Sequence, residues 1–152
     1  LADNSGDDPA IGTSAPTLKG SSFDGSTVTI GPDGKGKLVL FVAHWCPQCQ
    51  REVPLLVDYL KGHDLPSGVE LLTVSTAVTD TRPNFPPSTW LDDVGWTAPV
   101  LADDADGTAA AAFGLPGFPY LVALDADGKV VGRLSGEFPT DTFAALAKAA
   151  AG

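Results

Sequence analysis

Two cysteines, Cys46 and Cys49, are the residues of this sequence best suited to chemistry, because a pair at this spacing can alternate between a dithiol and a disulfide. They are the only cysteines in the chain. A bridge between them closes a very short loop and constrains the unfolded chain little, which disfavours a purely structural disulfide. Zinc is disfavoured as well, since it usually takes four ligands and neither a second Cys-x-x-Cys nor a His-x₃-His pattern follows. The spacing therefore predicts a redox-active pair.

The segments on either side of the pair predict the elements that position it. Residues 37–43 form an apolar run, which is typical of a buried strand. Beyond the cysteines, apolar residues recur at the i, i+3, i+4, i+7 spacing of one helix face. These residues are Val53, Leu56, Val57 and Leu60. The cysteines are therefore expected where a strand ends and a helix begins.

A helix start is a favourable place for a reactive sulfur. Its free N–H groups and the positive end of the helix dipole stabilise an anion such as a thiolate. Pro47 suits the first helical turn, where its missing N–H has no intrahelical partner to lose. We expect Cys46 to be the exposed nucleophile, and Cys49, one turn later and facing inward, to resolve the mixed disulfide.

Three neighbouring residues are candidates for supporting roles. Glu52 is predicted at the margin of the helix face that carries Cys49, where burial would raise its pKa and allow proton exchange with a departing thiolate. A surface glutamate is the alternative. His44 has two interpretations, a cation that stabilises the thiolate or an exposed loop histidine. Trp45 is expected to shield the disulfide and offer a contact surface, with ordinary core packing as the alternative.

Composition limits the classes of function. With 152 residues and 43% hydrophobic content, the chain is predicted to fold as one globular domain. Nine Lys and Arg against nineteen Asp and Glu give a formal charge of −10, which argues against a nucleic-acid partner. No apolar run approaches the roughly 20 residues that a membrane span needs. The domain itself is therefore expected to be soluble.

The amino end is polar and is predicted to be a linker over residues 1–10, followed by one domain over residues 11–152. We expect this linker to follow a signal peptide or membrane anchor in the full gene product, so that the domain works outside the cytoplasm. A cytosolic protein with a trimmed start is the alternative.

The remaining chain predicts strands that alternate with helices and then a hairpin and a final helix, which indicates a mixed α/β sheet covered on both faces. Pro54 is expected to kink the helix after the cysteines, and the proline-rich residues 79–87 cannot form one regular element. Three aspartates, Asp103, Asp104 and Asp106, lack the pattern of a calcium loop and are predicted to serve turns and caps. The predicted strands are 23–30 (with a possible hairpin), 69–75, 100–102, 120–124 and 129–134, and the predicted helices are 88–94, 108–113 and a last one from Thr140.

The segment Trp45–Cys49, after an apolar strand and before a proline-containing helix, resembles the active site of thioredoxin-fold proteins. The triplet Gly117, Phe118, Pro119, just before a predicted strand, resembles the cis-proline loop of that family. The similarity runs over residues 11–151. It implies a thioredoxin-like three-layer sandwich, with a mixed central sheet, helices on both faces and an added N-terminal β-hairpin.

Within this fold, residues 46–54 match the Cys-x-x-Cys-x-x-Glu-x-Pro pattern of TlpA/ResA-like extracytoplasmic thiol–disulfide oxidoreductases. The resemblance implies that Cys46, Cys49 and Glu52 carry the reaction. It also implies a monomer that acts on protein thiols and disulfides, is recycled by a membrane redox partner, and uses its redox-active disulfide with no bound cofactor or metal. The substrate contacts it implies are Trp45, Pro47, Phe118 and Pro119.

Three departures from the family pattern affect the chemistry. Leu40 stands where ordinary thioredoxins have a buried aspartate, so a proton relay must use Glu52, His44 or water. The Pro-Gln dipeptide between the cysteines differs from the Gly-Pro of thioredoxin and leaves the redox potential open. Phe118 precedes Pro119 where a smaller or β-branched residue is commoner, which predicts a more apolar substrate groove.

Several functions stay open at this point. The direction of exchange, reduction or oxidation, is not determined by these motifs. A peroxidase of the AhpC/TSA type would need threonine and proline where the chain has Ala43 and Val39. A redox-inert binding or chaperone module is the third alternative.

Overall fold

Seven β-strands form a single mixed sheet in the computed structural model, which describes residue 1 and residues 8–152. The strand order is β2-β1-β5-β4-β3-β6-β7. In chain order the strands are β1 (Leu18–Ser21), β2 (Thr27–Ile30), β3 (Gly36–Val42), β4 (Val69–Ser75), β5 (Val100–Ala102), β6 (Tyr120–Leu124) and β7 (Val130–Ser135).

Strand β3 is the buried centre of the sheet. It pairs in parallel with β4 and antiparallel with β6, and all seven of its residues are buried. Leu38, Leu40 and Val42 belong to the hydrophobic core on one face. Val39 and Phe41 belong to the core on the opposite face. The continuous apolar run therefore predicts this strand correctly, since a strand covered on both faces needs no polar alternation.

Helices cover both faces of the sheet, as predicted. In the described part of the chain they are α1 (Pro47–Gly62), α2 (Pro87–Asp93), α3 (Thr108–Ala112) and α4 (Thr140–Ala151). Buried side chains of α1, α2 and α4 join the core that contains Leu40. The short α3 joins the core that contains Phe41. None of the described helices has the length and apolarity needed to cross a bilayer.

The amino-terminal part differs from expectation in its first strand. Residues 23–30 are predicted as a turn that leads into an edge strand, and β2 takes up residues 27–30 of this segment. Strand β1 was missed because its sequence, Leu-Lys-Gly-Ser, is short and mostly polar. The two strands form the expected antiparallel hairpin, and β1 also joins the main sheet through the Ser21–Ala102 pair. Most of the predicted linker, residues 2–7, lies outside the described residues. Of its last residues, Ala10 is buried in the core and Asp8 pairs with Arg133.

Candidate active site

The two cysteines lie where β3 gives way to α1, and Cys46 is the N-cap residue of that helix. Its backbone is extended, with φ −73° and ψ 119°, and Pro47 occupies the first helical turn. The sulfur of Cys46 accepts a hydrogen bond from the backbone N–H of Cys49, with 3.3 Å between the two atoms. A thiol thus fills the place of the serine or aspartate oxygen that commonly caps a helix. An anionic sulfur at this place would be stabilised by the same N–H group and by the helix dipole.

Both sulfurs are more enclosed than the sequence suggested. Both cysteines are free thiols, Cys46 is 5% exposed, and Cys49 is fully buried. The prediction that Cys46 is the more exposed of the two is correct, but the expectation of an openly exposed nucleophile is wrong. The reason is that both cysteines belong to the core beneath α1, against which Trp45 and Phe118 pack.

The thiol of Cys49 resists ionisation. Burial raises its pKa well above the usual range, and the neighbouring Cys46 sulfur raises it further, while the backbone of Ala43 acts in the opposite direction. A buried thiol of this kind must lose its proton to become a nucleophile. The site therefore needs a proton acceptor when Cys49 reacts.

Glu52 is a buried carboxyl one turn after Cys49 on α1. It is 3% exposed, and its Oε1 atom accepts a hydrogen bond of 2.9 Å from the backbone N–H of Phe138. Burial raises the pKa of this carboxyl, the Phe138 N–H lowers it, and the nearby Glu137 raises it. The burial and the direction of the pKa shift agree with expectation. Its part in proton transfer stays a prediction.

Replacing this carboxyl should make the protein more stable at neutral pH. Because the folded-state pKa of Glu52 lies above its unfolded value, folding is favoured most when the group is protonated, and this advantage is lost as the pH rises through the folded-state pKa. Glu52→Gln keeps an acceptor for Phe138 but removes the titration. We expect a larger free energy of unfolding than wild type at pH 7, with the difference shrinking toward pH 4. Urea denaturation at pH 7 and at pH 4 measures the free energy of unfolding of both proteins. A difference between them that widens toward pH 4 contradicts the prediction.

His44 differs from one of the two predictions made for it. It is fully buried, so it is not an exposed loop histidine. Its Nε2 atom accepts the N–H of Thr79 at 3.2 Å, and its Nδ1 atom lies 2.7 Å from the carbonyl oxygen of Pro83. Both ring nitrogens are thus engaged by the loop that follows β4. An effect of His44 on the thiolate stays a prediction.

Trp45 and the cis-proline loop meet beside the cysteines. The indole N–H of Trp45 donates to the carbonyl oxygen of Ala77 at 2.8 Å. The indole ring contacts Phe118 edge to face, with 5.8 Å between centroids, and the Arg82 guanidinium lies 4.4 Å from the indole centroid. The Phe118–Pro119 peptide bond is cis. An apolar surface thus borders the reactive pair, and its role in substrate binding stays a prediction.

The loop after β4 supplies groups that sequence analysis missed. Ala77, Thr79, Pro83 and Asn84 all hydrogen-bond to His44 or Trp45. The proline-rich composition correctly excludes one regular element here. Nothing in a single sequence indicates a contact between residues more than thirty positions apart, so this part of the site could not be found that way.

The predicted turn-and-cap role of the aspartates is confirmed for Asp103 and Asp104. The carboxylate of Asp103 accepts N–H groups of Ala109 and Ala110, and that of Asp104 accepts the N–H of Thr108. In the part of the chain that the structure describes, no three His, Cys, Asp or Glu side chains are grouped to hold a metal ion.

Comparison with known proteins places this site in a family context. The Redoxin family model matches residues 10–150. Nucleoredoxin of Bos taurus is 28% identical over 127 residues, which cover 82% of this chain but only 26% of nucleoredoxin, so the chain spans about a quarter of that relative. Thiol-disulfide oxidoreductase ResA of Bacillus anthracis is 28% identical over 130 residues, 84% of this chain and 70% of ResA.

A solved structure confirms the predicted thioredoxin-like fold. The thiol:disulfide interchange protein of Chlorobium tepidum TLS, a thioredoxin family protein, superposes with a TM-score of 0.74 at 26% identity. The match covers 92% of this chain and 97% of that one.

Proposed function

The chain belongs to the Redoxin family, and from that premise we propose that it is a thiol–disulfide oxidoreductase that exchanges disulfides with protein substrates. The observation that carries the proposal is the hydrogen bond of 3.3 Å from the Cys49 N–H to the Cys46 sulfur at the start of α1. It places the two residues of the pair together, with one sulfur at the helix start and the other fully buried. The redox-active disulfide is the only redox group that the reaction requires.

The reduced protein acts in two displacements. The Cys46 thiolate attacks one sulfur of a substrate disulfide, which forms a mixed disulfide and releases the other substrate sulfur as a thiolate. Cys49 then loses its proton and attacks the Cys46 sulfur, which releases the second substrate thiolate. The protein ends with a Cys46–Cys49 disulfide, and the substrate has gained two electrons and takes up two protons. Run in reverse, the same steps oxidise a substrate dithiol.

Glu52 is the proposed proton acceptor for Cys49. It lies on the same buried stretch of α1, and burial raises its pKa toward the range in which a carboxyl can take and return a proton. The Phe138 N–H holds its carboxylate in place. Leu40 leaves no acidic side chain at the strand position that thioredoxins use, so Glu52 is the buried carboxyl assigned to this step.

The substrate is proposed to contact Trp45, Pro47, Phe118 and Pro119. Pro47 is exposed and Trp45 is half-buried, so this edge of the site is accessible to a polypeptide. A substrate strand would lie along the cis-proline loop, where backbone pairing gives affinity. We also propose an extracytoplasmic location and recycling by a membrane redox partner, as the resemblance to TlpA/ResA-like proteins implies.

Redox titration against glutathione tests the couple and decides its direction. We expect one two-electron transition between dithiol and disulfide. A midpoint of about −120 mV assigns an oxidant, and one below about −220 mV assigns a reductant, on the scale of known dithiol proteins. Alkylation of free thiols at each potential, followed by mass spectrometry, measures the transition. A pair that stays reduced at every potential contradicts the proposed function.

A further inference from the structure

His44 joins the reactive segment to the loop that follows β4, residues 76–86, here called the insert loop. Both nitrogens of the buried imidazole are bonded to this loop, Nδ1 to the Pro83 oxygen at 2.7 Å and Nε2 to the Thr79 N–H at 3.2 Å. The two anchors are four residues apart in the loop. One imidazole therefore fixes the path of the segment between them.

The backbone of His44 adds a further attachment. Its carbonyl oxygen accepts a hydrogen bond from the side-chain amide of Asn84 at 3.2 Å and another from that of Gln50 at 3.3 Å. The Phe85 ring meets the imidazole edge to face, with 5.9 Å between centroids. Since Gln50 is on α1, this carbonyl connects the loop, the strand end and the helix.

Trp45 is tied to the same loop. It donates to the Ala77 oxygen at 2.8 Å and lies under the Arg82 guanidinium. The two residues immediately before Cys46 thus hold the loop at several points between 77 and 85. Displacement of the loop would remove the partners that orient the Trp45 ring beside the cysteines.

The insert loop forms one wall of two cavities beside the reactive segment. One cavity, of about 590 Å³, lies between residues 76–78 of the loop and Phe118. The other, of about 490 Å³, lies between Asn84 and Phe85 of the loop and Gln50 of α1. Val78 and Phe85, which line them, are large apolar side chains that are 45% and 49% exposed. The position of the loop therefore sets the shape of these two cavities, the first of which is also lined by Asp103, Asp104 and Asp106.

We propose that His44 is a positioning residue, which holds the insert loop and Trp45 where they receive a polypeptide substrate with an apolar side chain next to its disulfide. Its contribution is to substrate binding and not to the reactivity of the Cys46 sulfur, because both ring nitrogens are already bonded to the loop. The part of this inference that concerns substrate rests on the proposed function.

Separate variants test the two anchors of the imidazole. His44→Ala removes both, His44→Asn can still donate to the Pro83 oxygen, and His44→Gln can still accept from Thr79. Each reduced protein is reacted with insulin, a protein disulfide, and with iodoacetamide, which reports only the reactivity of the Cys46 thiolate. In the NMR spectrum, the indole N–H peak of Trp45 reports the position of the ring. The peak is assigned by its loss in Trp45→Phe.

For His44→Ala we expect the half-saturating insulin concentration to rise about tenfold, the effect of losing roughly one net hydrogen bond. The maximal rate and the alkylation rate should stay within about twofold of wild type. The Trp45 indole peak should shift, and its N–H should exchange faster with solvent. His44→Asn and His44→Gln should each recover part of the binding.

Asn84→Gly supplies a test from the loop side if His44→Ala does not fold. Asn84 has a φ of 63°, which glycine adopts without strain, so the variant removes one amide anchor and leaves His44 unchanged. Like His44→Ala, this variant should raise the half-saturating insulin concentration. His63→Asn is the matched control: this other histidine is exposed at the opposite end of α1, as its C-cap residue, and we expect no change.

Two results overturn the proposal: a fall in alkylation rate of more than about fivefold with unchanged insulin saturation, or no change in any measurement. If the wild-type protein does not exchange with insulin while the indole and alkylation results are as expected, the proposed function fails and the positioning of the loop by His44 stands.

Discussion

Cys46→Ser is expected to abolish disulfide exchange, with a fall in initial rate of at least about a thousandfold against insulin. A serine hydroxyl does not ionise near neutral pH and is a far weaker nucleophile toward disulfides than a thiolate. Cys49 cannot substitute for it, because that sulfur is fully buried and its pKa is raised by burial. The measurement is the loss of insulin disulfide under an excess of a recycling dithiol, corrected for the rate without protein.

Cys49→Ser is the matched variant, and its defect should differ in kind. Cys46 can still attack, but no internal thiol follows, so the mixed disulfide with substrate accumulates. It should be visible as a covalent adduct by mass spectrometry and should disappear on reduction. Both variants replace a sulfur by a smaller oxygen at the start of the same helix. A difference between them therefore reports chemistry and not folding.

Two outcomes contradict the assignment of roles. Undiminished exchange by Cys46→Ser would remove the catalytic role of Cys46, whereas a wild-type rate no higher than the rate without protein would favour a redox-inert binding module. Turnover by Cys49→Ser at the wild-type rate would show that the resolving thiol comes from elsewhere, such as the recycling dithiol. Either result can be separated from misfolding by the circular dichroism spectrum of the variant.

The framework of the site could be predicted because it depends on local patterns. A continuous apolar run defines β3, and the helical period from Val53 to Leu60 defines the buried face of α1. Once a strand and a helix flank the cysteines, the placement of Cys46 at the helix start follows from chain order alone. Pro47 reinforces it through its missing N–H.

The surroundings of the sulfurs could not be predicted, because they depend on contacts between distant parts of the chain. The enclosure of Cys46 involves Phe118, which is packed against the same core. The buried, doubly bonded imidazole of His44 depends on Thr79 and Pro83 in a loop of no regular structure. A histidine at a strand end is compatible with a cation, an exposed side chain or a buried anchor until its partners are known.

Asp8→Ala is expected to lower the free energy of unfolding at pH 7 by about 3 kcal/mol, since removing one partner of a buried ion pair is strongly destabilising. The Arg133 side chain is 1% exposed, and its Nη2 and Nε atoms each donate to the Asp8 carboxylate at 2.9 Å. The substitution leaves a buried guanidinium without that carboxylate, although the hydrogen bond to the Tyr120 hydroxyl remains. Urea denaturation followed by tryptophan fluorescence measures the loss.

Arg51→Ala is the control for this prediction, because it removes the ion pair between Arg51 and Glu137, whose side chains are 61% and 44% exposed. An exposed ion pair between the same types of charged group should contribute at most about 1 kcal/mol to the free energy of unfolding. If the two variants lose equal stability, the effect of Asp8 is not a consequence of burial.

The pH dependence of the Asp8 effect has a defined sign. The hydrogen bonds from Arg133 lower the pKa of Asp8 in the folded state below its unfolded value. The stabilisation by this carboxylate is therefore complete above the unfolded pKa of about 4, and is lost as the pH falls through the folded pKa. The difference in stability between wild type and Asp8→Ala should accordingly narrow in acid. Asp8 loses its stabilising effect as the pH falls, whereas the unfavourable effect of ionised Glu52 on folding is relieved. A gap that stays constant from pH 7 to pH 3 would mean that Asp8 stabilises the fold through the packing of its chain segment against β7 and not through its charge.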